Sequence, residues 1–230
     1  KGQLIAVVSR PELVEKVKQA TQDRYPNFTM IEGSALEAKL PDRVHLVLGL
    51  HACDLATDHA IARGITHKAD YLSLVPCCQA EFAQALKQSL RKDALASLWS
   101  AAHHRREFGA HLTNVVRTQA LKRVGYAVTV TELTGWEHSM KNELILARRM
   151  GRYHEPSKLE LNALLQESGL LGDQQELLEH SPWLIRHLPS LVALRDADKS
   201  SQKLNDVASD DVASDNSMVL PSDSALKETH

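Results

Sequence analysis

The first apolar run of the chain, Leu4-Ile5-Ala6-Val7-Val8, is short and β-branched, and a helical-period pattern follows it at once. The run reads as a strand, and Leu13, Val14, Val17 and Ala20 behind it fall on one face of a helix. Pro11 suits the first turn of that helix, and Ser9 with Glu12 has the spacing of a capping box. Residues 28–33 read as a second strand. Residues 45–50 are more continuously apolar, the pattern of a strand buried on both faces. A short helix over 57–63 leads to an apolar strand over 69–78 that Pro76 stops. Helices over 81–91 and 105–123 come next, the second offering Phe108, Leu112, Val115, Val116 and Leu121 to a core and ending before Gly125. Residues 127–134 and 142–149 then read as two successive strands. Strands alternating with helices, closed by a strand pair, predict an α/β fold with a mostly parallel sheet.

Beyond that point Ser157 and Glu160 have capping-box spacing and open a Leu-rich helical region that runs to about residue 194. From Asp196 the composition shifts to Ser, Asp, Ala and Lys, with Asp-Val-Ala-Ser-Asp occurring twice in succession over 206–215. Such a segment buries too little apolar surface to offset its ordering entropy and is expected to be disordered. The organisation expected is therefore an α/β domain over 1–150, a helical extension over 151–195 that offers a surface to a protein partner, and an acidic tail over 196–230.

Composition narrows the class. Hydrophobic residues make up 43% and aromatic residues 4%, so the core is built from Leu, Val, Ile and Ala. No apolar run approaches the roughly 20 residues of a membrane span, and the first 30 residues lack the regions of a signal peptide, so a cytoplasmic chain without membrane contact is expected. Three cysteines, two of them adjacent, make a poor disulfide framework, and reduced thiols are expected. The net charge is −2, but acidic residues outnumber lysines after residue 195, which leaves a mildly basic body. That balance permits nucleic-acid binding without requiring it.

The stretch Leu-His-Ala-Cys-Asp-Leu-Ala-Thr-Asp at 50–58 ends an apolar strand in His51, Cys53, Asp54 and Asp58. In α/β sheets, ligands bind beyond the carboxyl ends of parallel strands, so polar groups there mark a candidate site. With Pro-Cys-Cys-Gln at 76–79 and Glu-His-Ser-Met-Lys-Asn at 137–142, this stretch resembles the class I S-adenosylmethionine-dependent methyltransferases over about residues 4–150. It is most similar to a branch whose strand ends read Leu-His-Ala-Cys and Cys-Cys. That branch includes bacterial proteins of unassigned substrate, the methyltransferase-like part of a protein with a glutathione-transferase C-terminal domain and, more distantly, a tRNA ribose methyltransferase.

The resemblance implies a Rossmann-like three-layer α/β sandwich, S-adenosyl-L-methionine as cofactor, and an acceptor held between two neighbouring strand ends. It implies catalytic roles for Asp54, His51, Cys77 and Cys78, and acceptor contacts from Pro76, Cys78, Gln79, Trp136 and His138. Ser9, Glu32, Ser34, Leu50 and His51 would lie on the cofactor side. RNA is the first acceptor to consider, on the distant relative and on the basic cluster His103-His104-Arg105-Arg106, which Arg117, Lys122, Arg123, Arg148, Arg149 and Arg152 would extend. The family's first strand and Gly-rich turn are expected upstream of residue 1, and Ser9 and Ser34 stand where acidic residues are usual. A non-catalytic binding module that has lost cofactor contacts is therefore the competing expectation.

Each of these residues also has a structural reading. Cys53, Cys77 and Cys78 suit small apolar fillers, and His51 a satisfied structural histidine. Asp54 and Asp58 suit caps of the following helix. A zinc set of His51, Cys53, Cys77 and Cys78 matches no standard spacing, and no metal is expected. The basic residues suit ordinary solvated surface, and Trp136 suits core packing.

Overall fold

The computed structural model describes residues 2–21, 24–77, 79–89, 91–135, 142–151, 154–170 and 182–193. Strands β1 (Leu4–Val8), β2 (Phe28–Glu32), β3 (Leu46–Leu50) and β4 (Tyr71–Val75) alternate with helices α1 (Pro11–Thr21) and α2 (Leu55–Thr66). Helix α3 (Glu81–Lys87), a 3₁₀ turn (Ala94–Ala96), the short α4 (Ser97–Ser100) and the long α5 (Ala102–Arg123) precede β5 (Tyr126–Glu132) and β6 (Glu143–Arg149). Helices α6 (Glu155–Glu167) and α7 (183–193) complete the described chain. The α/β class read from periodicity is the class observed. Among the described residues no helix is long and apolar enough to cross a membrane.

The strands form two sheets. β1 and β2 pair in parallel, and β3-β4-β6-β5 is a second sheet in which β3 and β4 are parallel while β6 runs antiparallel to both neighbours. All four of the first strands therefore belong to parallel pairs, each pair joined through a helix as the alternating pattern predicted. The loop after β2 fastens the first pair to the second: Arg63 of α2 donates to the Ala38 carbonyl at 2.6 Å, the His67 ring bonds the Pro41 carbonyl at 2.9 Å, and Arg43 pairs with Asp70 at 2.7 Å.

One face of the four-stranded sheet is covered. Leu72, Leu74, Ile145 and Ala147 point into a core with Ile61 and Ile65 of α2, Phe82 and Leu86 of α3, and Leu112, Val116 and Leu121 of α5. The leucines of α6 and α7, among them Leu161, Leu165, Leu184 and Leu188, belong to the same core. The other face differs from expectation at β3. Leu46, Leu48 and Leu50 share that face and are 49%, 58% and 64% exposed, so β3 is not buried on both sides. Among the described residues it is an edge strand, and no helix lies over those three side chains.

Local signals were read correctly at some ends and not at others. Helix α3 stops at Lys87 rather than near Arg91, because Gln88 and Ser89 close it with tight bonds to Ala85 and Leu86. Ser89 then turns its hydroxyl to the Ser168 carbonyl at 2.9 Å, and Arg91 donates to the Glu167 carbonyl, so these side chains cap α6 instead of extending α3. Helix α5 begins at Ala102, earlier than expected, on a turn whose buried Trp99 stacks on Phe108. Ser157 does not cap α6. It lies inside that helix, buried, and pairs with His154 Nδ1 at 2.6 Å. Gly109 brings α5 onto α3: a Cβ there would sit 2.7 Å from the backbone nitrogen of Ala83.

Helix α7 docks at its first turn through an aromatic group and a carboxylate. Trp183 stacks on His187 at 4.1 Å and meets the edge of His59 at 4.9 Å, while its amide donates to Glu81 Oε1 at 2.7 Å. That amide is one of the unpaired donors at a helix start, here satisfied from another helix. Burial lowers the pKa of His59, the neighbouring Asp58 raises it in part, and His187 lowers it further. Burial raises that of Glu81 despite its bond to Trp183. Because folding disfavours the His59 imidazolium, its contribution is fully present above the ordinary pKa near 6.5 and is lost as pH falls through the lowered value. Glu81 acts in the opposite sense and acts equally in a His59 variant. The thermal midpoint of the native chain should therefore fall more steeply between about pH 7 and pH 5 than that of His59→Gln, as followed by calorimetry. Parallel curves would refute the assignment.

Candidate functional site

The site begins where β3 ends. The His51 amide donates to the Val75 carbonyl at 2.9 Å, one step beyond the strand, and the chain then turns sharply. His51 and Asp54 both take φ of 50°, a region that side chains with a Cβ rarely adopt. Backbone of this kind persists only where surrounding contacts hold it. Here two buried groups do so. The Thr57 hydroxyl donates to the Ala52 carbonyl, and Arg117 Nη2 donates to the Asp54 carbonyl at 2.9 Å.

Arg117 comes from the middle of α5 and is 1% exposed. Its Nε and Nη2 grip Asp58 Oδ1 and Oδ2 at 2.7 and 2.9 Å, the two-pronged geometry that suits guanidinium and carboxylate. Its Nη1 donates to Asn114 Oδ1 at 3.2 Å, and the same oxygen accepts Gln79 Nε2 at 3.0 Å. One polar chain thus runs from the β3 end through α5 to Gln79 beyond β4. Asp58 is therefore not a helix cap, and Arg117 is not part of a basic surface. Both expectations fail because the two charges neutralise each other in the interior.

The strand ends also meet directly. Cys53 Sγ lies 2.7 Å from Cys77 Sγ, and Asp54 Oδ1 accepts the Ala80 amide at 3.3 Å. Asp54 occupies the N-cap position of α2 without capping it, because its carboxylate is directed across the crevice to the start of α3. Among the described residues, no three His, Cys, Asp or Glu side chains are grouped to hold a metal ion.

Beside these ends is a cavity of about 700 Å³, lined by Pro76, Cys77 and Gln79 from the β4 end and by α3, α5 and the start of β6. That volume is in the range of small-molecule sites. Lys87, Arg105, Arg106 and His111 border it, opposed by Glu107 and Glu143. The basic residues named from sequence therefore divide. Arg105 and Arg106 are at the cavity, whereas Lys122 and Arg123 lie at the far end of α5, about 25 Å along its axis. Arg148 and Arg149 are at the far end of β6 from the cavity, where Arg148 pairs with Tyr71 at the start of β4.

The remaining sequence candidates fall elsewhere. Ser9 and Glu32 are exposed just past β1 and at the end of β2, and the Ser34 hydroxyl accepts the Leu36 amide at 3.3 Å. Leu50 and His51 are exposed at the β3 end. None of these five lines the cavity. Cys78, Trp136, His138 and Arg152, and the tail from 196, lie outside the described residues; Glu132 and Glu143, which flank the loop containing Trp136 and His138, pair at the edge where the cavity opens. Asn114 and Arg117 were missed as members of the site. Their signal was a pair of polar residues at i and i+3 within the apolar stripe Leu112, Val116 and Ala120.

Comparison with known proteins adds a family match. Residues 1–85 match a family model described as "Methyltransferase domain". Those residues contain β1 to β4 and their strand ends, while most of the cavity wall lies beyond them. Among solved structures, the 23S rRNA methyltransferase ErmE is similar with a TM-score of 0.41 and 13% identity, covering 82% of this chain and 71% of that chain. No curated protein matches.

If the guanidinium of Arg117 organises both strand ends, its removal leaves Asp58 buried and unpaired. Arg117→Met should lower the unfolding free energy by about 3–5 kcal/mol. Asp58→Leu combined with Arg117→Met should cost less than Arg117→Met alone, since no lone charge remains. Urea unfolding of the native chain, each single variant and the double variant measures this, and additive losses would show that the pair is not coupled.

Proposed function

We propose that this chain carries an S-adenosylmethionine-dependent methyl-transfer site, with an RNA nucleotide as acceptor. The observation that carries the reading is the convergence of the β3 and β4 carboxyl ends, through Cys53–Cys77 and Asp54–Ala80, at the rim of a cavity with basic side chains. The methyltransferase-domain match over 1–85 supports the chemistry. The borders of the cavity support a phosphate-bearing acceptor, because Lys87, Arg105, Arg106 and His111 surround an opening beside Gln79.

The donor set on the cofactor side fits a nucleoside by its chemistry. The Glu32 carboxylate and the hydroxyls of Ser9 and Ser34 suit ribose hydroxyls and an exocyclic amine, and exposed Leu50 offers an apolar surface beside His51. These residues would hold S-adenosylmethionine, which when bound supplies an electrophilic methyl group.

The protein's share of the work is then orientation. Holding the acceptor in line is worth up to about 7–11 kcal/mol of the barrier, so the rigidity of the two strand ends matters more than any strong catalytic group. Gln79, fixed through Asn114, presents an amide to the acceptor. Asp54 keeps one carboxylate oxygen on the Ala80 amide, and its other oxygen takes the acceptor's proton when that group is a hydroxyl or an amine. Pro76 and Cys77 form the wall against which a base rests, while His51 is exposed at the β3 end, outside the cavity lining. Cys78, Trp136 and His138 belong to the same proposed acceptor surface on sequence grounds.

A second reading, a binding module without catalysis, is favoured by one observation. β1 and β2 belong to a different sheet from β3, so Ser9 and Glu32 are not joined to His51 by backbone pairing. Titration calorimetry with S-adenosylmethionine and its demethylated product, up to about millimolar ligand, separates the two. Saturable one-site binding, weakened in Glu32→Gln, is expected; its absence would favour the binding module. For the acceptor, replacing Arg105 and Arg106 by Ala should reduce the slope of log affinity against log salt for single-stranded RNA by about 1.4, at roughly 0.7 per phosphate contact. An unchanged slope would remove RNA phosphates from this cavity.

A further inference from the structure

We propose that Cys53 and Cys77 are a peroxide-reactive dithiol that closes into a disulfide across the two strand ends. The two sulfurs are 2.7 Å apart, well inside the van der Waals contact distance of two sulfur atoms. Neither cysteine is disulfide-bonded in this structure.

The placement follows from the sheet. Leu50 pairs with Val75, and the His51 amide bonds the Val75 carbonyl, so continuing the register sets residue 52 opposite residue 77. Neighbouring strands are about 4.8 Å apart, which is within the Cα separation that a disulfide spans. Cys53 is one residue further on, inside the turn between His51 and Asp54. Both of those residues have φ of 50°, and Thr57 and Arg117 hold the turn from beneath. That turn brings the Cys53 sulfur against Cys77 while leaving it exposed to solvent.

Access and geometry are divided between the partners. Cys53 is exposed, whereas Cys77 is half-buried and lines the cavity. Cys53 is thus the sulfur that a dissolved peroxide reaches first, and Cys77 is the resolving thiol at contact distance. The Cys53 thiolate attacks one peroxide oxygen, forming an S–O bond and breaking the O–O bond. The departing hydroxide takes a proton and leaves as water. Cys77 sulfur then attacks Cys53 sulfur, forming the S–S bond and breaking the S–O bond, and the second hydroxide leaves as water with the Cys77 proton. Two thiols lose two electrons in total, and the peroxide is reduced to two waters. A dithiol reductant reverses the step by exchange through a mixed disulfide.

The consequence is local. A bond at this point fastens the His51–Asp54 turn to the wall of the cavity and removes the Cys77 thiol from its lining. The inference stands whether or not the site transfers methyl groups.

The test uses the full chain and hydrogen peroxide. After brief treatment, free thiols are counted by maleimide labelling, and peptides are mapped without reduction. The expected result is loss of two of the three thiols, with residues 53 and 77 in one cross-linked peptide lighter by two hydrogen atoms, restored by dithiothreitol. The same cross-link should form in Cys78→Ser and be lost in Cys53→Ser, where Cys77 keeps its thiol or over-oxidises. Retention of all three thiols, a link to Cys78, or a link between two molecules would each overturn the proposal. Folding of the variants is not needed for the decisive result, which is read on the native chain.

Discussion

The structure depends on one buried charge pair. Arg117 and Asp58 have side chains 1% and 5% exposed, so both ions have given up nearly all their hydration. Desolvation of this kind costs several kcal/mol per ion and is offset only when the geometry is good and every remaining donor finds a partner. All three nitrogens of Arg117 find partners. Its Nε and Nη2 hold the carboxylate, Nη2 also reaches the Asp54 carbonyl, and Nη1 reaches Asn114. A leucine pair of the same volume would fill the space but would leave the Asp54 carbonyl in the turn after β3, and the Asn114 side chain, without the guanidinium that anchors them. The pair therefore acts less as a source of stability than as the fixture that sets two strand ends relative to one helix.

This fixture explains why the site is at one edge of the sheet. β3 and β4 are parallel, so their carboxyl ends are neighbours, and α5 crosses behind them with its polar residues at the same level. The antiparallel β6 starts where β4 ends, which brings Glu143 to the same cavity. Gly109 permits α3 and α5 to touch backbone to backbone, and that contact shapes the cavity wall opposite the strands. The match to a methyltransferase domain stops at residue 85, yet α5 and β6 supply much of this wall. The matched part and most of the cavity wall thus come from different stretches of the chain.

The exposed face of β3 is the counterpart of this order. Leu46, Leu48 and Leu50 carry the apolar alternation of a buried strand but are open to solvent, whereas the opposite face is fully packed by α2, α3 and α5. Sheet faces are apolar because something covers them in the functional molecule or because they tolerate exposure singly; three aligned leucines form a patch rather than scattered surface.

Much of the fold was legible because strands and helices are local. Apolar runs with Pro and Gly punctuation identified β1 to β6, α1 and α5, and their alternation identified the α/β class. The resemblance to class I methyltransferases, in which these two strands are neighbours, implied that His51, Cys53 and Asp54 face Pro76, Cys77 and Gln79, and the parallel pairing of β3 and β4 brings those carboxyl ends together. What could not be read was the pairing of charges over long separations. Nothing local distinguishes Arg117, buried on Asp58, from Arg105, which borders the cavity, since both lie on one helix and differ only in which face meets the core. Ser157 likewise has the spacing of a cap but sits within the helix, because His154 takes its hydroxyl. The exposure of β3 and the contact of Cys53 with Cys77 were decided in the same way. The sequence by itself determined the elements, their order and the edge that carries the polar strand ends, since each is set by backbone geometry and neighbouring residues. Only the tertiary structure decided which polar groups are neutralised inside and which remain for a ligand, because solvation depends on what packs above a residue and not on what precedes it.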